Sequence, residues 1–155
     1  MNLENALAKY SLEFPDPPAV GGVYAPAREF GDGFYYLSGC VPAFNGEKKY
    51  EGKLGADVSI EEGQQAARYC ALNLLANLKA AIGDLTKVKR IVKTLVFVAS
   101  SDDFYSQPVV ANGATGLFED IFGVEIGRSA RSAIGVNALP GNVPVEVELL
   151  VEVEV

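Results

Sequence analysis

Two residue types near the C-terminus could do chemistry. Arg131 lies in Ser129-Ala-Arg-Ser132, and its planar guanidinium meets a carboxylate bidentately where a lysine would be a point charge. Glu146 and Glu148 lie in Val145-Glu-Val-Glu-Leu-Leu-Val-Glu-Val-Glu-Val155, and a carboxylate raised by burial can take and return a proton. That run has a period of two. Its odd positions are apolar, while Glu146, Glu148, Glu152 and Glu154 fill the other face, which is the pattern of a strand. Leu150 is the one apolar interruption of the acidic row. Ahead of it, Leu139-Pro140-Gly141-Asn142 reads as a type II turn, with Pro140 presetting φ and Gly141 accepting a positive φ. If the turn closes a hairpin, residues whose numbers sum to about 281 face each other. Arg131 then falls near Leu150, on the side of Glu146 and Glu148, and a bulge would flip that face. Taken alone, these residues read first as a charge-guarded strand edge.

The preceding chain must position them. Residues 3–10 have helical spacing at Leu3, Leu7 and Tyr10, and Phe14-Pro-Asp-Pro-Pro18 ends that segment as an extended connector. Val23–Phe30 and Phe34–Val41 read as strands around the turn Gly31-Asp-Gly33. Asn45–Asp57 is polar and glycine-punctuated, a loop. Ser59-Ile-Glu-Glu62 is a capping box, and Ile60, Ala67, Ala71, Leu74, Leu78 and Ile82 form one stripe of a long helix stopped by Gly83. Val88–Ala99 reads as a central strand. Gln107–Phe122 reads as a second helix with Pro108 in its first turn and Gly123 after its end. The order ββ-loop-α-β-α-ββ predicts an α+β fold, with both helices on one face of a mixed sheet. Several strands look apolar on both sides, so the uncovered face predicts a symmetric oligomer.

Composition bounds the function. The chain has 155 residues, 13 basic against 20 acidic, for a net charge of −7, and no histidine. One domain over residues 1–155 is the simplest reading, with residues 1–19 as an extension on the core. The acidic balance makes a nucleic-acid partner an unfavoured expectation, because such affinity rests on neutralised phosphates. The N-terminus lacks a basic region followed by an apolar run, and no apolar stretch approaches the ~18–20 residues of a membrane span. Two cysteines, Cys40 and Cys70, suit a reducing compartment, so a cytoplasmic protein is expected. Neither has a histidine base to make it a nucleophile. No ligand spacing suggests a metal and no Gly-x-x-x-x-Gly-Lys pattern suggests a phosphate loop, so no cofactor is expected.

Tyr24, Ser38-Gly39, Ile91-Val-Lys-Thr-Leu-Val-Phe-Val98 and Ala130-Arg-Ser-Ala-Ile-Gly-Val-Asn-Ala-Leu-Pro140, with Val145-Glu-Val-Glu148 beyond, together resemble one family over about residues 20–155. It is the reactive intermediate deaminase family, also called YjgF or "L-PSP endoribonuclease". The resemblance implies a chorismate-mutase-like fold, a homotrimer with sites between subunits, and hydrolysis of enamines or imines such as 2-aminoacrylate to a keto acid and ammonia. Carried over by residue, Arg131 grips the substrate carboxylate and Glu146 holds or activates water. Tyr24, Ser38 and Gly39 line the cleft, and Asn112 of the second helix joins them. Ala133 stands where many relatives have a cysteine, which removes any role for that thiol here. The longer N-terminus and the Asn45–Asp57 loop suggest a less characterised branch. Two other functions stay in view: a non-catalytic trimer that binds a small carboxylate as a sensor or enzyme partner, and an endoribonuclease or translation inhibitor.

Overall fold

The computed structural model describes residues 1–155. Five strands form one mixed sheet: β1 (Ala27–Phe30), β2 (Phe34–Cys40), β5 (Val88–Ala99), β6 (Ala130–Val136) and β7 (Val145–Val153), in the order β1-β2-β7-β5-β6. All neighbours are antiparallel except β5 and β6, which the intervening helices make parallel. Helices α2 (Ile60–Ile82) and α3 (Gln107–Phe122) cover one face, and the short α1 (Leu3–Lys9) lies on α3. A four-residue α4 (Val124–Gly127) follows α3. No helix is long and apolar enough to cross a membrane.

Local chemistry sets the helix ends. Both bonds of the Ser59/Glu62 capping box form, and Gly83 stops α2 at a φ of 87°. The helix buries Ala67, Ala71, Leu74 and Leu78 within one cluster of 31 buried apolar residues. Where α2 meets α3 the backbones nearly touch. A Cβ on Gly113 would collide with the Gln64 carbonyl, and Gln64 Nε2 donates to Val109 O across the same contact (2.9 Å).

The C-terminal hairpin does not form. β5 lies between β6 and β7, paired in parallel with one and antiparallel with the other. The turn itself is as expected, with Gly141 at φ 67° and the Asn142 N–H donating to Leu139 O at 3.1 Å. Past it, the Ala99 N–H donates to Pro144 O (2.9 Å), and the chain runs on along the far edge of β5. The register is then Arg131 opposite Thr94, and Thr94 opposite Leu149. Arg131 therefore shares the helix-covered face with Leu149, on the side opposite Glu146 and Glu148.

Two smaller departures bear on the site. β1 starts at Ala27 rather than Val23, because Pro26 has no N–H for the ladder and β2 bulges just past Leu37. The Asn45–Asp57 region is partly ordered: Asn45-Gly46, both at positive φ, turn a small hairpin of β3 (Ala43–Phe44) and β4 (Glu47–Lys48). Leu54 is fully buried and bridges to Ser100.

The α2–α3 contact leaves no room for a methyl group. Gly113→Ala is expected to destabilise the fold by about 1–3 kcal/mol, the usual range for overpacking against backbone, read from the urea midpoint.

Candidate active site

A bulge in β2 builds one half of the site. Leu37 pairs with Leu149 and Cys40 with Val147, so Ser38 and Gly39 together stand against Glu148. The extra residue carries the backbone over Glu146. A Cβ on Gly39 would collide with the Glu146 carboxylate, so only glycine admits that packing. Ser38 Oγ donates to Ala25 O (2.7 Å), and its N–H donates to Pro26 O (3.0 Å), which folds the Val23–Pro26 segment back over the bulge. Tyr24, Ser38, Gly39 and Glu146 consequently line one open cavity of about 480 Å³, together with Gly21, Val41 and Pro140.

Glu146 differs from the other carboxylates of β7. Glu148 accepts from the Tyr36 hydroxyl (2.6 Å), and Glu152 pairs with Lys89 (2.7 Å) and Arg90. Glu146 has neither a cation nor a donor. Burial first, and the neighbouring Glu148 second, push its carboxyl above the ordinary carboxylate value. A half-buried carboxylate with free lone pairs beside a cavity is a group that can hold a water and exchange a proton with it.

The other half lies elsewhere. Arg131 projects from β6, the edge strand, onto the helix-covered side, where its Nη1 donates to Asn112 Oδ1 (2.6 Å) and Thr115 Oγ1 (3.3 Å) of α3. No carboxylate of the chain forms an ion pair with it. The guanidinium is thus oriented by two neutral oxygens, with its remaining N–H groups unspent. The structure brings Arg131 to Asn112, and Tyr24, Ser38 and Gly39 to Glu146; within one chain it does not join the two sets.

Ala133 follows Arg131 on the same strand face, so a thiol there would neighbour the guanidinium. The two cysteines present are both buried. Burial pushes the Cys40 thiol up to about 12 and the Cys70 thiol well above its usual value, so neither is a nucleophile at neutral pH. Sequence reasoning missed Thr115, Gly21, Val41 and Pro140. Thr115 lies three residues after Asn112, the spacing of one helix face, and could have been found; the loop residues carry no such signal.

The YjgF/chorismate-mutase-like family model, described as "putative endoribonuclease", matches residues 4–153. The chain belongs to the YjgF family. Among its relatives, protein TCP17 of Trypanosoma cruzi is 49% identical over 117 residues, covering 76% of this chain and 73% of that protein. The "putative regulator AldR" of Lactococcus lactis is 30% identical over 139 residues, 90% of this chain and 94% of that one. The crystal structure of a "putative endoribonuclease" from Shewanella oneidensis superposes with a TM-score of 0.90 at 32% identity, covering 99% of this chain and 100% of that one. The YjgF-type fold is therefore shared along essentially the whole chain.

Because burial raises the Glu146 carboxyl, the folded state binds its proton more tightly than the unfolded state. Stability is lost as pH rises through the folded value. Glu146→Gln is expected to raise the melting temperature at neutral pH, with the gain vanishing below the ordinary value of 4.5. Thermal melts of both proteins across that range measure it.

Proposed function

We propose that this YjgF-family chain is a hydrolytic deaminase of small 2-imino acids and their enamine tautomers, working without a cofactor. Its site would form between copies of the chain in a homotrimer. The observation that carries this reading is Glu146, a half-buried carboxylate left without a partner beside Tyr24 and Ser38. In this reading, Arg131 grips the substrate carboxylate. Glu146 takes a proton from water as the water oxygen bonds to the C=N carbon, and passes that proton to nitrogen. Collapse of the carbinolamine moves the hydroxyl proton to nitrogen by the same route, and ammonia leaves behind the 2-keto acid. Imines hydrolyse readily in water, so positioning supplies most of what is needed.

The separation of the two halves supports a site shared between chains. Arg131 and Glu146 lie on opposite faces and two strand spacings apart, roughly 10 Å laterally. In a 2-imino acid the carboxylate is bonded directly to the imine carbon. One chain's own pair cannot serve both groups, whereas Arg131 of one copy against Glu146 of the next can. The sheet face opposite the helices offers apolar surface for such contact, with Tyr36 50% and Ile134 44% exposed.

A non-catalytic trimer that binds a small carboxylate as a sensor is the second reading, favoured by the relative named as a regulator. It uses Arg131 and has no evident need for Glu146. RNA cleavage, the activity in the family's description, is disfavoured by the −7 charge and the absence of histidine. Ammonia release from 2-aminoacrylate and 2-iminobutyrate, generated in situ by a dehydratase, tests these readings. The wild type is expected to accelerate release. Glu146→Gln should lose about 10²-fold in kcat, and Arg131→Ala should lose mainly in KM. No acceleration by the wild type sinks the deaminase reading and favours the sensor; acceleration retained in Glu146→Gln removes the water-activating role.

A further inference from the structure

The Glu146 cavity continues into a second chamber. A space of about 220 Å³ lies under the Pro18–Gly21 segment and shares Gly21, Tyr24, Ser38, Gly39 and Val41 with the first. Its far wall is α2, which presents Asn73 and Asn77 one turn apart, only 2% and 7% exposed. The hydrogen bonds fix how the first amide is turned. Asn73 Nδ2 donates to Val41 O (3.0 Å) and Ala43 O (2.9 Å), and since both partners are carbonyls, the nitrogen must face them. Asn77 Nδ2 donates to the Cys40 sulfur (3.4 Å). No protein group donates to either Oδ1, and neither oxygen is sealed inside protein without a partner. Two buried carbonyl acceptors on the chamber's far wall are thus left without a protein donor.

The rest of the wall narrows the chemistry. Pro18, Val20, Pro26 and Val41 are apolar, and no charged side chain lines the chamber. At the far wall an ammonium or guanidinium would find its only counter-charge in the adjoining cavity, at Glu146, and a carboxylate would set lone pairs against the two Oδ1 atoms. A neutral N–H donor on an apolar stem satisfies both constraints. We propose that this chamber is a side-chain subsite for small carboxylates whose tail ends in a carboxamide. The subsite rests on the deaminase reading only for what happens to the ligand's head; its binding is separate.

The test measures binding to the assembled wild-type protein by calorimetry, using three unreactive probes of similar size: glutaramate, glutarate and 5-methylhexanoate. Glutaramate is expected to bind about tenfold tighter than either of the others, the worth of one well-made hydrogen bond. Asn77→Leu, nearly isosteric, should shrink that preference to less than about twofold. Val20→Trp, a substitution on the exposed covering segment, should narrow the chamber and weaken glutaramate without touching α2. A flat ranking in the wild type, or a glutaramate preference that survives both variants, overturns the subsite. Imine turnover with a flat ranking removes the subsite and leaves the deaminase reading standing. The glutaramate preference without turnover does the reverse.

Discussion

Strand β7 is hydrogen-bonded along both edges, to β2 and to β5, and everything else is placed by its register. Val145, Val147, Leu149 and Val151 are fully buried under α2, and Val153 nearly so. Each such side chain is worth about 1.5–3 kcal/mol when taken out of water. A slip of one residue would expose all five and drive Glu146, Glu148 and Glu152 into the core, so the register has no competitor. Glu146 therefore faces away from the helices not because a site is there, but because the valines and the leucine leave it nowhere else to go.

That constraint gives Glu146 a face without giving it a neighbour. The neighbour comes from the β2 bulge, where Ser38 and Gly39 share the space of one residue. The bulge ends β1–β2 pairing at Ala27, and the freed Val23–Pro26 segment folds over the gap through the two Ser38 hydrogen bonds. The same departure from the ladder accounts for the cavity, for the presence of Tyr24 beside it, and for the requirement for glycine at position 39. The N-terminal segment then closes the space that continues toward α2. A local irregularity in one strand thus gives one member of the acidic row, Glu146, a cavity of its own.

Features with local causes were legible in the sequence. The capping box of α2, its apolar stripe, the glycine stops and the Gly31–Gly33 turn all depend on residues within a few positions of one another. So does the Leu139–Asn142 turn, where Gly141 takes the positive φ that a glycine allows. What the turn could not reveal is that a third strand lies between the segments it connects. Hairpin pairing is the default for adjacent strands, but β5 is apolar enough to be central, and it takes the middle position. The consequence reaches the site: hairpin parity puts Arg131 near Leu150 on the face of Glu146 and Glu148, whereas pairing through Thr94 places it on the opposite face. Asn112 could be linked to Arg131 only through family resemblance, because α3 and β6 meet in space through the tertiary fold. Asn45-Gly46 is itself a readable hairpin signal, set inside a segment whose polar, glycine-punctuated composition predicts a loop.

The arrangement has a thermodynamic character that fits a site better than a scaffold. A structural glutamate in a strand row acquires a partner, as Glu148 does from Tyr36 and Glu152 from Lys89 and Arg90. Glu146 is instead held half-buried, next to a like charge, with its proton bound more tightly than water alone would hold it. Arg131 is the complement: a guanidinium steadied by Asn112 and Thr115 yet matched to no carboxylate of its own chain. Each group is less stable than a simple substitution could make it, which is where a fold commonly gives up stability for function. In the deaminase reading the two lacks answer each other, since a 2-imino acid and its attacking water would bring a carboxylate to the arginine and a proton to the glutamate. In the deaminase reading proposed above, the separation of Arg131 from Glu146 within one chain would make assembly part of the chemistry rather than a consequence of the exposed sheet face.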